Sequence, residues 1–134
     1  MQKGTHLLVD CRGVDRNVCI DDKLFLEAMA AASADAGATG ISQVRYRFVD
    51  DSPPGFAVVV LLDESHCSAH SYADLGLVAL DIFTCGRASP RDVLAGITAR
   101  IPLGEETDRE VARNQHPEKR RAKPPDPQNQ QSAP

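Results

Sequence analysis

Residues 56–86 read FAVVVLLDESHCSAHSYADLGLVALDIFTCG, and the way this stretch folds back on itself decides the architecture. FAVVVLLD is a short, continuous apolar run with three successive valines, which reads as a central strand. CSAHSYAD and LVALDIFT read as two further strands joined around Asp74-Leu75-Gly76. A tight hairpin centred on Leu75 sets Ser65 opposite Cys85 and His70 opposite Leu80. The same pairing keeps His70 away from Ser65. Five residues of straight strand span roughly 17 Å, and an odd spacing points two side chains to opposite faces. For Ser65 and His70 to meet, the chain must bend or bulge between Ser65 and Ala69. A bend there is a natural place for a strained peptide bond.

Outward from this core, THLLVDCRGV (Thr5–Val14) reads as a first strand with Leu7, Val9 and Cys11 on one face. DDKLFLEAMAAASADAG reads as a helix, with Asp21 or Asp22 at its start and Gly37 at its end. Its apolar stripe is Leu24, Phe25, Ala28, Met29 and Ala32. ISQVRYRFVD alternates like a half-exposed strand, and DDSPPG is a loop. Ser89, Pro90 and Asp92 together mark a helix start. That helix carries Val93, Leu94, Ile97 and Ile101, and Pro102 ends it. Glu105 to Asn114 adds a last edge strand. These elements predict an α+β two-layer sandwich: an antiparallel sheet with two helices on one face.

The chain has 134 residues, of which 42% are hydrophobic. This fits one folded domain, over residues 1–115. Residues 116–134, rich in proline and charge without apolar periodicity, read as a disordered polar tail. The net charge of −4 argues against broad nucleic-acid or anionic-membrane binding, both of which need a basic face. No apolar run approaches a membrane span, and no secretory leader is recognisable. The chain is therefore expected in the cytoplasm, with Cys11, Cys19, Cys67 and Cys85 reduced. No C-x-x-C pair occurs, so no metal is expected. His66, Cys67, His70 and Cys85 are the rival metal set, but His66 and His70 share a liganding face only on a helix, which HCSAH does not favour.

Ser65 alone is an ordinary strand-end hydroxyl, and Cys85 alone an ordinary core thiol. In combination they carry a resemblance. DESHCSAH followed by DIFTCG resembles the prokaryotic, short-chain S-adenosylmethionine decarboxylase family, whose motif is an acidic-Ser-His segment, a histidine five residues after the serine, and a cysteine in D-[IV]-[FY]-T-C-G. HLLVD, LFLEAMAAASADAGAT and P-x-G extend the match over roughly residues 4–101.

The resemblance implies a self-processing proenzyme. Ser65 attacks the carbonyl of Glu64, and the resulting ester is split so that Ser65 becomes a pyruvoyl group heading the second chain. That ketone takes the substrate amine as a Schiff base and acts as the electron sink for decarboxylation. By the same resemblance, His70 is the proton acceptor in processing and Cys85 the proton donor in turnover. Tyr72 stacks on the adenine and Asp74 holds the ribose, with His66 as a supporting group behind the cleavage site. The product is the aminopropyl donor for spermidine. The enzyme is a homodimer whose sites use residues from both protomers. Two alternatives stay open: a pyruvoyl-dependent arginine or ornithine decarboxylase of the same fold, and an unprocessed, non-catalytic homologue.

Overall fold

Alternation of buried and exposed side chains sets the layers. In the computed structural model, which describes residues 4–114, six strands form one antiparallel sheet. In chain order they are β1 (Thr5–Arg12), β2 (Gly40–Arg47), β3 (Gly55–Leu62), β4 (Ser65–Tyr72), β5 (Leu77–Thr84) and β6 (Glu105–Ala112). Across the sheet the order is β2-β3-β4-β5-β1-β6. The predicted α+β class holds: β3, β4 and β5 form the expected meander, and β1 inserts between β5 and β6. The expected tail, 116–134, lies outside the described residues.

Helix α1 (Arg16–Cys19) is short; α2 (Asp22–Asp35) and α3 (Pro90–Thr98) are the two long ones. The Asp21 side chain accepts from Leu24 N–H and caps α2, as predicted. Phe25, Ala28, Met29 and Ala32 are buried against the sheet, and Leu24 only partly. The Phe25 and Phe56 rings lie 4.9 Å apart and join α2 to β3. Gly96 lets α3 approach α2, because a Cβ there would crowd Ala32. Helix α3 ends at Thr98, short of Pro102. Ile101 still reaches the core, its N–H bonded to the Ile97 carbonyl.

One face of the sheet supplies the core: Leu7, Val9, Phe56, Val58, Val60, Leu80 and Ile82 are almost fully buried beneath α2 and α3. The edge strands are tied to the helices by charge. Arg45 and Arg47 of β2 reach Asp22 of α2 at 3.4 and 3.2 Å. Arg91 of α3 reaches Asp108 and Glu110 of β6, each at 3.0 Å. Its hydrogen bond holds Asp108 below the usual carboxylate range.

The opposite face carries no helix. It exposes Val44, Tyr46, Val59, Leu61 and Tyr72, a contiguous apolar surface larger than isolated exposed residues produce.

Burial has a consequence for the thiols. It pushes Cys67 up to about 12, and Cys11 likewise, with smaller contributions from nearby carboxylates. Above the ordinary thiol value the unfolded chain loses protons that the folded chain keeps. Stability therefore falls as pH rises past about 9. Thermal unfolding between pH 8 and pH 11 (roughly the thiol range) is expected to show a declining midpoint. The decline is shallower in Cys67→Ala, measured as a slope against pH.

Candidate active site

The Asp63-Glu64-Ser65-His66 segment begins with a two-residue turn. Leu62 pairs with Ser65, so Asp63 and Glu64 alone join β3 to β4. Glu64 has φ of 60°, a left-handed conformation that costs a residue bearing a Cβ about 1–2 kcal/mol. The backbone strain expected near Ser65 lies in the residue whose carbonyl the serine would attack. Asp63 N–H donates to the Thr39 carbonyl at 2.8 Å and anchors the turn.

Ser65 is buried, on the helix-covered face of β4. Its Oγ accepts the backbone N–H of Cys85 at 3.1 Å. Glu64, Ser65 and Cys85 line one cleft of about 330 Å³, together with Thr39 and Arg87. A small electrophile formed at position 65 would therefore open onto a polar-walled cavity beside a thiol.

Two expectations need correction. The β4–β5 register is one residue off: His66 faces Phe83 and His70 faces Ala79, not Leu80. Four residues, Ala73–Gly76, form the turn, so its midpoint falls between Asp74 and Leu75. Cys85 nevertheless meets Ser65 through its backbone. The bend between Ser65 and Ala69 is absent. β4 pairs without interruption with β3 from Ser65 to Tyr72, and His70 projects from the uncovered face, exposed. Within one chain, Ser65 and His70 do not meet. His66 and His70 share a face without a helix, contrary to expectation, because a spacing of four is even on a strand; the same alternation still separates the rival metal set, with Cys67 buried on the other face.

The predicted residues therefore fall into two groups. Glu64, Ser65, His66 and Cys85 lie at one end of the sheet; His70, Tyr72 and Asp74 lie toward the other. Tyr72 stands 6.3 Å from Phe48, ring to ring, and Phe48 stands 6.2 Å from Tyr46. Asp74, in the β4–β5 turn, accepts from Arg16 Nη1 at 2.6 Å.

Sequence reasoning missed a row on the uncovered face beside Ser65. His6 and His66 both pair with Phe83 from either side. Their rings stand 6.3 Å from each other, and His66 lies 5.5 Å from Phe83. Arg113 Nη1 is 3.4 Å from His6 Nδ1. Arginine only donates, so Nδ1 accepts and the His6 hydrogen sits on Nε2. That atom is 3.6 Å from Asp81 Oδ1. Burial, then the neighbouring His6, holds His66 below the ordinary imidazole value. The HLLVD segment contains His6, but nothing local to it reveals which strands lie alongside.

This two-layer domain, with a strained acidic-serine turn bonded to a cysteine, belongs to the S-adenosylmethionine decarboxylase family, whose profile matches residues 5–114. Among its relatives, the chain is similar to the S-adenosylmethionine decarboxylase proenzyme of Pelotomaculum thermopropionicum, at 34% identity over 86% of this chain and 90% of that one. It is similar to the proenzyme of the same name from Syntrophomonas wolfei, at 35% identity over 87% and 93%. The crystal structure of the adenosylmethionine decarboxylase from Aquifex aeolicus superposes with a TM-score of 0.75, at 28% identity, covering 85% of this chain and 92% of that one.

Proposed function

We propose that the chain is an S-adenosylmethionine decarboxylase made as a proenzyme, which cuts itself between Glu64 and Ser65. The observation that carries this reading is the left-handed Glu64 directly before a buried serine whose Oγ is held by Cys85. The turn's strain is relieved when that peptide bond is exchanged for an ester. Ser65 Oγ adds to the Glu64 carbonyl carbon, and its proton passes to a nearby base. The Glu64–Ser65 C–N bond then breaks, leaving an amine on residue 65 and an ester through its oxygen. Removal of the residue 65 α-proton releases the Glu64 carboxylate and leaves an enamine; its imine tautomer adds water and loses ammonia, which leaves a ketone. The pyruvoyl group so formed supplies an electrophilic carbonyl and an electron sink for decarboxylation. Cys85 and the cleft walls would surround it. Cys85 returns a proton to the substrate α-carbon, and the cleft limits water.

The α-proton acceptor is His70 of the partner subunit. Support comes from His70 standing on a helix-free, partly apolar sheet face, which a second copy can cover. A two-fold axis near Ser68 superposes the row of His66 on the row of the partner's His70, since both are equally far from it along β4. Tyr72 and Asp74 travel with that histidine, so one protomer supplies the cleavage turn and cysteine, the other the aromatic and acidic substrate contacts. The Phe48–Tyr72 pair suits a purine ring. A homodimer of cleaved protomers in the cytoplasm, feeding aminopropyl transfer to spermidine, completes the reading.

The direct test is carbon dioxide release from S-adenosylmethionine, arginine and ornithine, assayed side by side. Turnover of S-adenosylmethionine alone supports the reading; turnover of either basic amino acid in its place overturns it.

A further inference from the structure

The cut that the proposed function requires makes a charge as well as a ketone. Before it, the Glu64 carbonyl is neutral; after it, residue 64 ends in a carboxylate. That charge appears beside the side chains of Asp63 and Glu64, so three carboxylates meet at one exposed turn and repel one another. Among the described residues that line the cleft of about 330 Å³, Arg87 is the one cation. Its guanidinium has no hydrogen bond or ion pair among the described residues. Local structure puts it there. Cys85 N–H donates to Ser65 Oγ at 3.1 Å, which fixes the end of β5 beside residue 65. Gly86 follows with φ of 75°, a left-handed turn that glycine makes without steric cost. The turn returns Arg87 to the cleft wall. Arg87 also lines a neighbouring cleft of about 500 Å³, but the carboxylate there, Glu110, is already held by Arg91 at 3.0 Å.

We infer that Arg87 is a positioning residue, which receives the carboxylate formed at Glu64 by the cut and ties the end of the first chain to the segment carrying Cys85. This rests on the proposed function and gives the cut end a role. In the uncut chain Arg87 makes no ion pair with Asp63 or Glu64, although all three line the cleft. A terminal carboxylate is a better partner, because a guanidinium presents a fork of N–H donors that fits it in two parallel bonds. The pairing has two consequences. It holds the turn against the end of β5 once no peptide bond joins residues 64 and 65. It also occupies the cation. A guanidinium left unpaired in the cleft would hold the substrate carboxylate, the group that must leave, and such ground-state binding slows its loss.

The test compares Arg87→Ala in cut and uncut protein, full length throughout. The wild type, which is cut, and Ser65→Ala, which is not, are each made with and without Arg87→Ala, and thermal unfolding is followed at low salt. Loss of Arg87 should lower the midpoint of the cut protein by about 3 °C or more. It should leave the uncut protein where it is, since an exposed arginine without a partner adds little. Salt at roughly 1 M should shrink the difference by screening. Arg87→Lys keeps the charge without the fork and should recover part of the loss. A second readout needs no unfolding: carboxypeptidase should trim Glu64 from the first fragment of Arg87→Ala several-fold faster than from that of the wild type, read by intact mass. An equal drop in cut and uncut protein, no drop in the cut protein, or equal trimming overturns the inference. So does an Arg87→Ala chain that is no longer cut, which would place the arginine's action before the break. An uncut wild type overturns the proposed function and this inference together; a cut wild type indifferent to Arg87 overturns this inference alone.

Discussion

A chain carrying Ser65→Ala remains one 14.5 kDa polypeptide and releases carbon dioxide only at the uncatalysed rate. Alanine has no oxygen to add to the Glu64 carbonyl, so neither the ester nor the ketone can form. Removing a nucleophile that every later step depends on costs about 10⁴-fold or more in turnover. The fold should survive. The lost interaction is one hydrogen bond from Cys85 N–H at 3.1 Å, worth about 1 kcal/mol, and alanine is tolerated at a buried strand position. Denaturing electrophoresis reads the cleavage, and thermal unfolding checks that the variant is folded. Two fragments from folded Ser65→Ala protein would mean that another residue makes the cut.

Two inactive variants should rescue each other. Ser65→Ala lacks the nucleophile, and His70→Ala lacks the proposed proton acceptor. In a mixed dimer, one site combines intact Ser65 and Cys85 from the His70→Ala chain with His70 of the partner subunit. The other site carries both defects. Co-produced with distinguishable tags, only the His70→Ala chain should be cut, and up to one site per mixed dimer should turn over. Each variant alone should stay uncut. This follows from β4 being straight: its unbroken pairing from Ser65 to Tyr72 leaves His70 on the other face and roughly 17 Å along the strand. No cleavage in the mixture, with mixed dimers present by size and tag, would mean that the histidine does not act across the interface.

The elements legible in the sequence were those with local signals. The apolar run of β3, the Asp21 cap of α2 and the Ser89-Pro90 start of α3 each carry their own pattern. The turn between β3 and β4 was hidden because Asp63-Glu64 contains no glycine, asparagine or proline. Glu64 adopts a conformation that residues of its kind rarely take, so β4 begins two residues before its apparent start. The register slipped by one because a four-residue turn has its midpoint between residues rather than on Leu75. Strand β6 has a weak apolar pattern in EETDREVA and is held partly by Arg91. Helix α1, at four residues, is too short to show periodicity.

The candidate site divides along the same line. Ser65, Cys85 and Glu64 were legible because a turn and one pairing bring them together. His6, Phe83, Asp81 and Arg113 were not, since their meeting depends on β1 inserting between β5 and β6. Arg16 was invisible for a similar reason: its partner Asp74 is 58 positions away. His70 was recognisable as a residue but not as a neighbour. Within one chain it stands exposed on the face of β4 opposite Ser65.

Intact-mass measurement of the purified wild-type protein tests the central claim most directly. The account predicts two polypeptides, one ending in the Glu64 carboxylate and one beginning at residue 65, the latter lighter by the elements of ammonia and resistant to sequencing from its blocked end. A single uncut chain, or a second fragment that begins with an ordinary serine, would contradict it.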